Sequence, residues 1–118
     1  MTVLESITNV HEILQLRLGV DRSDLIALCQ RFRIVELGLF GSALRDDFRS
    51  DGDEASDVDL LVTFEEGYRR SAEDCLMLEQ AVEELFDRKV DICQKRLLKN
   101  PYRRAEILQT TQVIYAAQ

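Results

Sequence analysis

Asp57 and Asp59 open the run Asp57-Val58-Asp59-Leu60-Leu61-Val62-Thr63-Phe64, whose apolar and β-branched content reads as a strand. On a strand, alternate side chains share a face, so the two carboxylates project together while Val58 and Leu60 point to the other side. Like charges held side by side disfavour each other's ionised form unless a counter-ion neutralises them. A divalent cation removes the conflict, and oxygen ligands of this hard kind suit Mg²⁺ or Mn²⁺. Magnesium commonly keeps several waters and shares itself with substrate phosphates, which directs attention to a nucleotide.

Gly41-Ser42 ends the preceding apolar run, Ile34-Val35-Glu36-Leu37-Gly38-Leu39-Phe40. Glycine lets a phosphate approach the backbone, and the following amides and the Ser42 hydroxyl can donate to its oxygens. A third carboxylate, Asp91, sits in Val90-Asp91-Ile92-Cys93, another short apolar segment. Pairing of that strand with the Asp57 strand would bring the three acids together, and three acids around two metals position and activate a hydroxyl and stabilise a leaving pyrophosphate. Each piece alone has a plainer reading: Asp-x-Asp as a solvated edge, Asp91 as a strand-end surface acid, Gly-Ser as an ordinary turn. The conjunction within one short chain is what points to chemistry.

The elements that must position these residues are readable from periodicity. Val3, Leu4, Ile7, Val10, Ile13 and Leu14 recur at helical spacing over Val3 to Leu16, and Gly19 breaks the pattern. Asp21 or Ser23 caps a second helix carrying Leu25, Ile26, Leu28, Cys29 and Phe32 and ending near Arg33. Ser71-Ala72-Glu73-Asp74 is a capping-box pattern for a long helix whose apolar face is Leu76, Leu78, Ala81, Val82, Leu85 and Phe86. Asn100-Pro101 starts a last helix carrying Ala105, Ile107 and Leu108, because proline fits a first turn that needs no amide donor. Val113-Ile114-Tyr115 is too short for periodicity to decide between a strand and more helix. The order of elements predicts an α/β (α+β) domain, a small mixed sheet flanked by helices. A chain of 118 residues has room for one such domain, with residues 1–18 as an extra N-terminal helix.

Composition narrows the function. The net charge of −7 opposes binding to a long nucleic acid, since that affinity comes mainly from Lys and Arg displacing phosphate counterions. No apolar run approaches the roughly 20 residues of a membrane span, and Met1-Thr2-Val3-Leu4-Glu5 is unlike a secretory signal, so a cytoplasmic location is expected. Cys29, Cys75 and Cys93 are odd in number and widely spaced among apolar neighbours, which reads as buried thiols; the single histidine, His11, has no companion with which to hold zinc. Acidic residues crowd the middle of the chain, while Lys95, Arg96, Lys99, Arg103 and Arg104 make a basic region after Asp91.

Gly41-Ser42, Ser56-Asp57-Val58-Asp59-Leu60-Leu61-Val62 and Val90-Asp91-Ile92 together resemble the polymerase-β-type nucleotidyltransferase superfamily, in particular its minimal nucleotidyltransferase (MNT) branch. The resemblance implies the nucleotidyltransferase fold and a two-metal transfer of AMP from ATP onto a hydroxyl. It implies that Asp57 and Asp59 hold Mg²⁺, that Asp91 completes the metal site and activates the acceptor, and that Gly41 and Ser42 hold the triphosphate. It further implies a HEPN-domain toxin as partner, adenylylated on a tyrosine, with this chain as antitoxin of a type VII-like pair. Two alternatives stand beside it: an antitoxin that neutralises by contact through the N-terminal helix and the basic region, and transfer to a small-molecule hydroxyl. Oligomeric state is left open, a homo-oligomer included. Residues 43–56 form a longer connection than the family's usual one, and the acidic Asp51-Gly52-Asp53-Glu54 within it places repulsive charge near a triphosphate. Arg45 would offset that as a charge-assisted donor to the phosphates, or else pair with Asp46 or Asp47 on a helix surface.

Overall fold

The computed structural model describes residues 14–15, 18–41 and 57–117. The helix expected over Val3 to Leu16 falls mostly outside them, as do His11, Ser42, Arg45 and the acidic stretch before Asp57. Of the N-terminal segment, Leu14, Leu18 and Val20 are buried in the core, and the Val20 amide donates to the Leu14 carbonyl at 3.0 Å.

Helix α1 spans Arg22–Arg31 and begins where the Asp21 carboxylate accepts the Ser23 amide at 2.7 Å. The chain then enters β1 (Ile34–Phe40), β2 (Val58–Phe64), α2 (Ala72–Phe86), β3 (Val90–Gln94), a single 3₁₀ turn (Lys95–Leu97), α3 (Pro101–Thr110) and β4 (Gln112–Ala116). Helix α2 carries the expected capping box: Ser71 Oγ accepts the Asp74 amide and the Asp74 carboxylate accepts the Ser71 amide, both at 3.0 Å. Helix α3 starts at Pro101 with the Asn100 side chain accepting the Tyr102 and Arg103 amides. The segment that periodicity left undecided, Val113-Ile114-Tyr115, is extended, because β1 has a free edge there for it to pair with.

The strands form one sheet in the order β3-β2-β1-β4. β1 pairs antiparallel with both β2 and β4, whereas β2 and β3 run parallel, joined by the α2 crossover that a parallel pair requires. One face of the sheet, through Leu37, Leu39, Val58, Leu60 and Val62, packs on Leu25, Leu28 and Cys29 of α1 and Leu78, Val82 and Phe86 of α2. On the other face, a side chain at Gly38 would collide with Thr111 at the end of α3, so a glycine lets the α3–β4 corner lie close to β1.

The cysteine expectation needs correction. Cys29 is fully buried, and burial pushes its thiol up to about 12, but Cys93 is only half-buried and Cys75 is exposed. In α2, Cys75, Leu76 and Met77 are all exposed and burial begins at Leu78; at about 100° per residue Leu76 lies on the side of the helix away from Leu78, Val82 and Phe86. Helical periodicity identifies the inward face but not how far along it the core reaches. Leu76 thus departs from the buried face expected of it.

Candidate active site

The sequence of β2 alternates as its acidic start demands. Val58, Leu60 and Val62 are buried against the helices, so Asp59 stands on the opposite face, half-buried, while Asp57 is exposed immediately before the strand. Parallel pairing sets Asp91 opposite Asp59 and Val90 opposite Val58, which places the second and third acids on adjacent strands and the same face. Antiparallel pairing on the other side sets Phe40 opposite Asp59. Gly41, the next residue, therefore arrives beside the same carboxylate.

The contact at Gly41 is closer than the sequence suggests. Its φ of +75° lies in the left-handed region that favours glycine, and a Cβ there would overlap Asp59 Oδ2 and approach Asp59 Cγ to 3.1 Å. Sequence reasoning assigned Gly41 to the approach of a phosphate; the structure adds that its missing side chain makes room for the Asp59 carboxylate. Asp57, Asp59, Asp91 and Gly41 are thus gathered at one end of the sheet by backbone register alone. Among the described residues, no three Asp, Glu, His or Cys side chains close round one point as metal ligands would.

The basic region after Asp91 is partly absorbed into the fold. Lys95 Nζ lies 3.4 Å from Glu36 Oε1, a half-exposed pair worth about 0–1 kcal/mol, and Arg104 donates to the Lys95 and Leu98 carbonyls at 3.0 and 3.4 Å. The sequence marks these residues as a basic region without showing these partners, which lie in β1 and in the backbone of the 3₁₀ turn. Beside them Leu97, Tyr102 and Leu108 expose much of their apolar surface. No described helix is long and apolar enough to cross a membrane.

Comparison with known proteins agrees with this arrangement. The nucleotidyltransferase domain family matches residues 25–114. The protein adenylyltransferase MntA of Thermococcus cleftensis is 40% identical over 73 residues, covering 62% of this chain and 68% of that protein. A solved structure named provisionally as a minimal nucleotidyltransferase is 36% identical and superposes with a TM-score of 0.60, covering 85% of this chain and 93% of that one. A complex of the tri-AMPylated Shewanella oneidensis HEPN toxin with its MNT antitoxin shares the fold at 17% identity, with a TM-score of 0.54 over 82% of this chain and 71% of that one. With the acids at the starts of β2 and β3, the glycine at the end of β1 and a match that spans most of the sequence, the chain belongs to the nucleotidyltransferase family, in the minimal branch that includes the MntA proteins.

Proposed function

We propose that the chain is a protein adenylyltransferase that transfers AMP from ATP to a tyrosine hydroxyl of a HEPN-domain toxin and thereby acts in the cytoplasm as its antitoxin. The observation that carries this is the register pairing of Asp59 with Asp91 beside Gly41, on a scaffold shared with a 40% identical protein adenylyltransferase. In the reaction the acceptor oxygen bonds to the α-phosphorus, the bond from that phosphorus to the bridging oxygen breaks, and pyrophosphate leaves. Asp91 takes the hydroxyl proton. Gly41 and Ser42 orient the triphosphate through backbone amides and the serine hydroxyl, and Arg45 donates to its oxygens.

The donor set, carboxylate oxygens only, fits Mg²⁺ in chemistry, and Asp57, Asp59 and Asp91 are the residues that would hold it. When bound, such a cation neutralises the phosphate charge and the charge that develops on the leaving pyrophosphate. Radiolabelled ATP with Mg²⁺ should label the protein encoded by the neighbouring gene, and Asp57→Asn combined with Asp59→Asn should abolish both labelling and neutralisation. The exposed Leu97, Tyr102 and Leu108 beside Arg103 favour a second reading, neutralisation by contact. Neutralisation by the double mutant at wild-type strength would establish that reading and refute the catalytic one.

A further inference from the structure

The far end of β2 from the aspartates holds a second concavity. It has a volume of about 370 Å³ and is walled by the ends of β2 and β3, the β2–α2 connection and Arg96 of the 3₁₀ turn. Thr63 lies four residues along β2 from Asp59, on the order of 13 Å at the strand rise of about 3.3 Å per residue, so this cavity is separate from the aspartate end.

Its walls are built rather than incidental. The Glu65 amide donates to the Arg33 carbonyl at 2.8 Å and the Tyr68 amide to the Glu65 carbonyl at 3.1 Å, closing a turn that Gly67, at φ +82°, makes possible. The Arg33 guanidinium lies 5.3 Å from the Tyr68 ring centre and pins that turn to the end of α1. Arg70 is held from two sides: its guanidinium stacks 3.8 Å from the centre of the Phe64 ring, and its Nη2 donates to Gln94 Oε1 at 2.8 Å.

So placed, Arg70 keeps a donor it does not use. Its Nε is buried without a hydrogen-bond partner, and so is Thr63 Oγ1; both belong to residues that line the cavity. An unfilled buried donor on a cation is costly, and a ligand oxygen that reached Arg70 Nε after a small turn of its side chain would relieve that cost. Arg69 and Arg96 stand at the same rim. Glu65 and Glu66 also line it; like Arg69 and Arg96 they are exposed, so solvent screens all four charges, and the half-buried, immobilised charge is that of Arg70.

We propose that this cavity is a second ligand site that binds the phosphate group of a small phosphorylated molecule, with Arg70 and Arg96 as its charged donors and Thr63 as a neutral one. A dianion matches two guanidinium groups better than a single carboxylate does, and guanidinium forks suit phosphate geometry. The volume falls within the range of small-molecule sites, leaving room beside Tyr68 for the body that carries the phosphate.

The test is a titration of the ¹⁵N-labelled full chain with inorganic phosphate at constant ionic strength, following the Arg70 Nε–Hε signal and the Gly67 amide. Saturable shifts at both are expected, with acetate giving much weaker ones. Arg96→Gln, an exposed position that leaves the fold intact, should weaken phosphate binding roughly tenfold, as loss of one charge-assisted hydrogen bond does. The same loss is expected in Arg70→Lys, which keeps the charge but not the fork. The proposal is overturned by an Arg70 signal that does not saturate, by an equal response to acetate, or by an affinity that Arg96→Gln leaves unchanged.

Discussion

Replacing Gly41 by alanine separates backbone strain from the position of the Asp59 carboxylate, to which the proposed function gives a catalytic role. Holding a residue with a Cβ at φ +75° costs about 1–2 kcal/mol, which for a domain of this size lowers Tm on the order of 5–10 °C. The new methyl also occupies the space of Asp59 Oδ2, so the carboxylate must turn or β2 must shift. A displacement of about 1 Å at a reacting centre costs roughly 100-fold in rate, and that is the expected loss in AMP transfer. Gly19 supplies the control: its φ is +67° and a Cβ there meets nothing within 4 Å, so Gly19→Ala carries similar strain without the collision. Melting by circular dichroism and initial rates of label transfer from α-labelled ATP should show both variants destabilised but only Gly41→Ala inactive. Equal transfer rates in the two variants would mean that the room Gly41 leaves for Asp59 has no bearing on the chemistry.

Gly38→Ala should cost about 1–3 kcal/mol in chemical denaturation, since its methyl collides with Thr111, and Thr111→Ala in the same chain should recover part of the loss. Ser71→Ala removes one half of the α2 capping box and should lower stability by about 1 kcal/mol, measured the same way. Thiol titration of the native protein should modify Cys75 first and Cys93 more slowly, with Cys29 reacting only on unfolding. Because burial raises the Cys29 thiol from 9.0 to about 12, the folded state keeps a proton that the unfolded chain releases. That contribution to stability is whole below pH 9.0 and is lost as pH rises toward 12; a Cys29→Ala variant should show a shallower alkaline decline in Tm.

The parts of the fold that were legible in the sequence are those with local causes. β1 ends where Gly41 turns, α2 starts at its capping box, and α3 starts at Asn100-Pro101, each for reasons contained within a few residues. The misses have distant causes. β4, which periodicity left undecided, exists because β1 offers an edge, and Cys75 is exposed although it lies on the same side of α2 as Leu78 and Val82. Arg70 escaped notice because Phe64 and Gln94, which hold it, come from different strands. At the aspartate end, residue types were readable but register was not: that Asp91 faces Asp59 rather than a neighbour is set by parallel pairing across the sheet.

The mixed character of the sheet explains why Gly41 and the three aspartates gather at one end of it. An antiparallel neighbour brings the end of its strand to the start of β2, and a parallel neighbour brings its own start there. A glycine at the end of β1 and an acid near the start of β3 are thus the positions from which flanking strands reach Asp57 and Asp59. Were β1 parallel to β2, Gly41 would lie at the opposite end, beside Phe64 and Arg70. The order of glycine, paired acids and third acid along the chain therefore makes sense only for this topology, in which β1 reverses and β3 does not. The same connectivity sets the other end of β2 apart from the aspartates, bordered by the turn into α2 and by the 3₁₀ turn after β3, so among the described strands β2, and β3 from Gln94 to Asp91, are what join a ligand at Arg70 to the acids.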